Sequence, residues 1–166
     1  MDSVTSVLFY AASALALVSA MAVVAQRNPI GSAFALIVTL CSLSVLYGLL
    51  GSPFIAVLQV VVYAGAIMVL FLFVLMLLNV KREDHQAEGR GVGLLAGGLA
   101  LVFLLQVGGV ILASSIEPGS PVYDASTARM ARVLFSPDYL YVFEATSILI
   151  LSALVGAVVL ARKEPR

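Results

Sequence analysis

Read by polarity, the chain is a series of long apolar runs broken by short charged stretches. Residues 3–26, 28–80 and 91–116 carry no charged side chain, and after Asp138 only Glu144 interrupts the run to Ala161. The second run divides at Gly51-Ser52-Pro53, a turn signal followed by a proline suited to a first helical position. A helix needs about 20 apolar residues to cross the hydrocarbon core. The pattern therefore predicts five transmembrane helices, about 4–26, 30–50, 54–79, 91–114 and 138–161. The expected fold is all-α, a polytopic membrane protein with a single membrane domain over residues 1–166.

Local signals refine these boundaries. The first run has Asp2 where a secretory leader would be basic, and its apolar stretch is too long for one, so it reads as a retained helix. Asn28-Pro29 supplies a cap and first residue for the second helix. Ser136-Pro137 does the same for the last, with Asp138 near the positive helix end. With five crossings, one side receives Arg27, Lys81, Arg82, Arg90, Arg162, Lys163 and Arg166, and the other only Arg129 and Arg132. Seven cations against two place the first side in the cytoplasm, the amino terminus outside and the carboxyl terminus inside.

Composition agrees with the bilayer: 62% of residues are hydrophobic and 11% charged, against about 25% charged in soluble domains. Zero net charge leaves no footprint for nucleic acid. Without tryptophan, an aromatic belt must rely on tyrosine and phenylalanine. One cysteine (Cys41) and one histidine (His85) are too few ligands for an iron–sulfur cluster or a closed zinc site. The glycines from Gly89 to Gly98 lack the βαβ setting of a dinucleotide fingerprint, and Gly93 and Gly97 read instead as a helix-packing groove. In the outer loop, 115–137, Met130, Val133 and Leu134 recur at near-helical spacing beside Arg129 and Arg132, as in a short surface helix.

Few residues can carry chemistry. Glu144 is an ionisable group inside an apolar helix, which costs about 2.5–3.5 kcal/mol at the bilayer centre and marks a candidate for a proton or hydration path. The competing reading is a hydrogen bond to a neighbouring subunit, and Ser147 lies one turn away. Gln59 and Tyr63, four residues apart, form a second candidate set for holding water or a partner's polar group; Gln106 is a weaker one. No catalytic triad, carboxylate pair or phosphate loop can be assembled, so the chain reads as part of something larger. The third helix holds one local anomaly, Tyr63-Ala64-Gly65-Ala66. Glycine costs a helix about 1 kcal/mol relative to alanine. Close packing of a neighbouring helix would offset that cost, and so would a π-bulge or kink at a functional position.

The stretch from Gln59 to Asn79, with its Val-Tyr-Ala-Gly-Ala-Ile-Met-Val-Leu-Phe core, resembles the third helix of the subunit J (chain 6) family of respiratory complex I. Arg27-Asn28-Pro29-Ile30 resembles the start of the family's second helix, and Phe143-Glu144-Ala-Thr-Ser147 with Gly156-Ala157 its last. The resemblance implies a subunit of the bacterial cytoplasmic (inner) membrane, in the membrane arm of a proton-pumping NADH:quinone oxidoreductase. It would lie beside the K-type subunit and the quinone-site, H-type subunit. It implies no cofactor in this chain, with quinone, NADH, FMN and iron–sulfur clusters bound by other subunits. It also implies a π-bulge near Tyr63 to Ala66 whose straightening links the quinone cavity to a line of polar residues and water. Tyr63, Ala64, Gly65, Ala66, Val69 and Phe71 are then the hinge candidates, and Gln59, Tyr63 and Glu144 the candidates for the proton path. A glutamate commonly stands in the family where this chain has Gln59, and an amide there cannot exchange a proton. The expected function is a non-redox coupling subunit. The alternatives are a purely structural or assembly subunit and a small stand-alone transporter, the latter without an evident inverted repeat.

Overall fold

A computed structural model describes residues 3–78, 90–113 and 124–162. Among these, helices account for nearly every element, and five are long and apolar enough to cross a membrane. They are α1 (Ser3–Ala25), α2 (Pro29–Leu49), α3 (Pro53–Leu77), α4 (Arg90–Ala113) and α6 (Leu140–Ala161), with a short α5 (Thr127–Leu134) before the last. His85 and most of the cations of the loop before α4 lie outside the described residues, as do Lys163 and Arg166.

The punctuation residues set the boundaries by ordinary capping. Asn28 accepts a hydrogen bond from the Ile30 amide at 3.1 Å, and Pro29 opens α2 where a missing N–H costs nothing. Between α2 and α3 the chain turns through Gly51, whose φ of +77° lies in the left-handed region that glycine enters without a β-carbon clash. Ser136 departs from expectation. Its hydroxyl donates back to the Val133 carbonyl at 2.7 Å, closing the end of α5, while residues 136–139 form a turn and α6 starts at Leu140. The same carbonyl accepts from the Ser136 amide at 3.1 Å, so Ser136 closes the last turn of α5 through both its backbone and its side chain.

Helices α1, α2 and α3 pack together through small side chains. The buried residues of α1 are Ala12, Ala16 and Ser19, one helical stripe, and those of α2 include Ala33, Ser42 and Ser44. Small residues let backbones approach, and hydroxyls then bond across the gap. The Thr39 hydroxyl donates to Ser19 Oγ at 2.8 Å, and Ser19 donates to the Leu15 carbonyl at 2.7 Å. Ser32 ties the start of α2 to the end of α1 through the Val23 carbonyl, at 2.6 Å. No large side chain is fully buried among the described residues. In α6 every residue is exposed. Such faces require lipid or other subunits as solvent. Gly97 and Gly98 of α4 likewise meet no side chain of this chain, so the expected glycine groove has no occupant among its own described residues.

Candidate functional site: a π-helical segment in the third helix

Helix α3 is α-helical over Pro53–Leu58, π-helical over Gln59–Ile67 and α-helical again over Met68–Leu77. The amide of Met68 reaches back five residues to the Tyr63 carbonyl, the bond that defines the π register. Most π elements are single-turn bulges. This one runs for nine residues and contains Gln59, Tyr63, Ala64, Gly65 and Ala66. Val69 and Phe71 follow it in α-helical backbone.

The segment changes which side chains face α2. Ala56, Ala64 and Met68 are the buried residues of α3. At 3.6 residues per turn, the twelve residues from Ala56 to Met68 would leave the two about 120° apart, and an unbroken α-helix would instead align Ala56 with Tyr63 and Ile67. The wider π turns absorb one residue, so Ala64 and Met68 take the inward positions, while Tyr63 is 52% exposed and Ile67 49% exposed. A methyl group thus sits where an α-helix would put a phenol ring.

Gly65 fits the segment for a steric reason. A β-carbon there would come 3.1 Å from the Val60 carbonyl oxygen, five residues back and on the same π turn. That is tighter than carbon and oxygen normally tolerate, so a side chain at this position must push the carbonyl outward. Of the two offsets open from the sequence, the structure has the π segment, and among the described residues no atom of another helix lies within 4 Å of the β-carbon position at Gly65.

The polar candidates stand as follows. Gln59 is half-buried and Tyr63 exposed, and no hydrogen bond joins them within the chain. Glu144 lies just over one turn into α6 on an exposed face. Among the described residues no hydrogen bond joins Ser147 to Glu144; the Ser147 hydroxyl donates to the Phe143 carbonyl at 3.4 Å, and Thr146 donates to the same oxygen at 2.6 Å. The π segment and Glu144 belong to different helices, and no contact described here brings them together. Cys41 is half-buried, and no group of three metal-ligating side chains occurs among the described residues.

Two features escaped the sequence reading. Phe71 lines an apolar cleft of about 280 Å³ with Val23, Pro29, Ser32, Ala33, Leu36 and Leu75, so the part of α3 beyond the π segment meets the junction of α1 and α2. And the buried Ser44 of α2 donates to the Ala56 carbonyl of α3 at 2.7 Å. Its signal is a hydroxyl within an apolar run, which in membrane helices marks an interface.

The sequence matches the family model described as NADH-ubiquinone/plastoquinone oxidoreductase chain 6 over residues 19–160. It is 36% identical over 162 residues to NADH-quinone oxidoreductase subunit J of Pseudomonas aeruginosa, covering 95% of this chain and 97% of that one. It is 39% identical over 161 residues to the NAD(P)H-quinone oxidoreductase subunit 6 of the organellar chromatophore of Paulinella chromatophora, covering 94% and 77%. Subunit J of Rhodobacter capsulatus is 31% identical over 160 residues, covering 92% and 79%.

Proposed function

Since the chain belongs to the NADH-ubiquinone/plastoquinone oxidoreductase chain 6 family, we propose that its third helix couples quinone reduction to proton translocation in complex I. The protein is a multi-pass membrane subunit of NADH-quinone oxidoreductase, and its partners are other subunits of that complex. In our reading it lies in the bacterial cytoplasmic membrane with its amino terminus outside. It contacts the K-type and quinone-site subunits and is itself non-redox. One cysteine and one histidine in the whole sequence do not fit the ligand set of an iron–sulfur cluster. In this reading iron–sulfur chemistry belongs to its partners, and flavin and quinone are assigned to them as well.

The observation that carries the reading is the nine-residue π segment in a membrane-spanning helix. Conversion to α-helix would shift the register beyond it by one residue, about 100° of rotation. Tyr63 and Ile67 would then replace Ala64 and Met68 against α2, and Phe71 would leave its cleft. Two packings of one helix, differing by a ring against a methyl group, make a bistable element of the kind that switching requires. Gln59 and Tyr63 are placed to hold water in one register and release it in the other. Glu144 serves the proton path from the last helix, with its hydrogen-bond partners in neighbouring subunits.

Purification of the tagged chain in mild detergent, with mass spectrometry of what accompanies it, tests the assignment. Flavin, iron–sulfur and antiporter-like subunits are expected. Recovery of a stable, folded chain alone would move the transporter alternative forward. A purely structural subunit would show normal coupling in every hinge variant that assembles.

A further inference from the structure

The α/π boundary in the third helix coincides with a hydrogen bond from outside that helix. Ser44 on α2 is buried, with 8% exposure, and its hydroxyl donates to the Ala56 carbonyl at 2.7 Å. Ala56 stands three residues before the π segment, on the last α-helical turn. Its carbonyl is already shared within the helix: the Gln59 amide is bifurcated between the Ala56 and Ile55 carbonyls. A carbonyl has two lone pairs, and here a side chain from another helix fills one of them.

We propose that Ser44 is a positioning residue that fixes where the π segment of α3 begins. A side chain that inserts into the i→i−4 ladder is a recognised cause of local helix distortion. At the last α-helical turn the Gln59 amide is shared between the carbonyls three and four residues back, and the ladder then opens to a five-residue step within the π segment. An external donor on the Ala56 carbonyl makes that transition less costly at this turn than one turn earlier or later. Ser44 donates across to α3, whereas Ser42 on the same helix donates back to its own Val38 carbonyl, so the Ser44 hydroxyl is committed to the contact between the two helices. The two helices are thereby held in register at one point, and rotation of α3 takes place beyond it. This inference rests on reading α3 as the coupling element, yet it concerns the helix's resting geometry and is testable apart from coupling.

The test is electron cryo-microscopy of the assembled complex carrying Ser44→Ala, beside Gly48→Ala. Gly48 lies one turn further along α2, and a β-carbon there would make an ordinary 4.0 Å contact with the Ala56 methyl group. It therefore alters the same interface without removing the donor. In Ser44→Ala the start of the π segment is expected to leave Gln59, with the population of the native register reduced on the order of threefold to tenfold, the effect of one lost buried hydrogen bond. Gly48→Ala is expected to keep the boundary. A boundary still at Gln59 in Ser44→Ala would overturn the inference, and so would an equal shift in both variants, which would assign it to packing. If the boundary moves while proton pumping per electron pair stays normal, the positioning role stands and the coupling role of α3 fails.

Discussion

The glycine at position 65 holds its α-carbon so close to the Val60 carbonyl oxygen that a β-carbon would stand 3.1 Å away. The contact exists because π-helical pairing stacks residue 65 over residue 60. It predicts that Gly65→Ala displaces α3 toward the α register, since the added methyl group opposes only the wider turn. The cost is expected to be about 1 kcal/mol, a bond-geometry distortion of a few tenths of an ångström shared between two residues. The π segment should be shorter or absent in a large fraction of particles by electron cryo-microscopy; an unchanged nine-residue segment would show that the carbonyl yields freely.

Much of this was legible in the residues. Charge spacing, the Asn28 cap and the prolines Pro29 and Pro53 at first helical positions mark the helix starts because capping and the fixed φ of proline are local chemistry. The anomaly at Ala64-Gly65-Ala66 left close helix packing and a π-bulge both open, and the family resemblance is what implied the bulge. Its length was not legible. Val60, Val61 and Val62 favour no π register by themselves, and their pairing follows from which residues meet α2. Ser44 was missed because a serine in an apolar run has no periodic signature, and only the crossing of two helices shows its acceptor. The Ser136 hydroxyl was expected to cap the last helix; it donates instead to the end of α5, while the Ser136 carbonyl accepts from the Tyr139 and Leu140 amides that lead into α6.

Glu144 has no hydrogen-bond partner within the described chain and lies on an exposed face of α6. A carboxyl group so placed takes its partners from neighbouring subunits or water. Glu144→Gln is expected to leave assembly intact and to lower the protons moved per electron pair in proteoliposomes. Full pumping with normal assembly would remove Glu144 from the proton path.

The cap on α2 gives a stability prediction. Asn28→Ala removes the acceptor for the Ile30 amide and is expected to cost about 1 kcal/mol. Asn28→Ser, which keeps a capping oxygen, should lose less. Thermal inactivation of the detergent-solubilised complex orders the three proteins; equal values for all three would mean that neighbouring subunits fix this turn.

At the start of α5, Asp124 accepts a hydrogen bond from the Ser126 amide at 3.0 Å. That bond, then the Ser126 hydroxyl and the charges of Arg129 and Arg132, hold its carboxyl below the usual aspartate range. A depressed carboxylate favours the folded turn above the ordinary aspartate pKa of about 4, and this contribution fades as pH falls below that value toward the folded-state pKa. The protection of the Ser126 to Arg129 amides, taken relative to their intrinsic exchange rates, should therefore hold down to about pH 4 and fall below it. In Asp124→Asn the same amides should show no such acid step, whereas an identical step in both proteins would assign it to another group.

The central claim is that α3 couples two processes, and the direct measurement is proton translocation by the complex carrying Gly65→Leu, whose bulk opposes the π register more strongly than alanine does. The account predicts an assembled complex with normal electron transfer from NADH to ferricyanide. It also predicts quinone reduction and proton pumping lowered together, on the order of tenfold if about 1.4 kcal/mol separates the registers. Normal quinone reduction and pumping in the assembled variant would contradict the account and leave α3 a structural helix, and failure to assemble would assign Gly65 to packing.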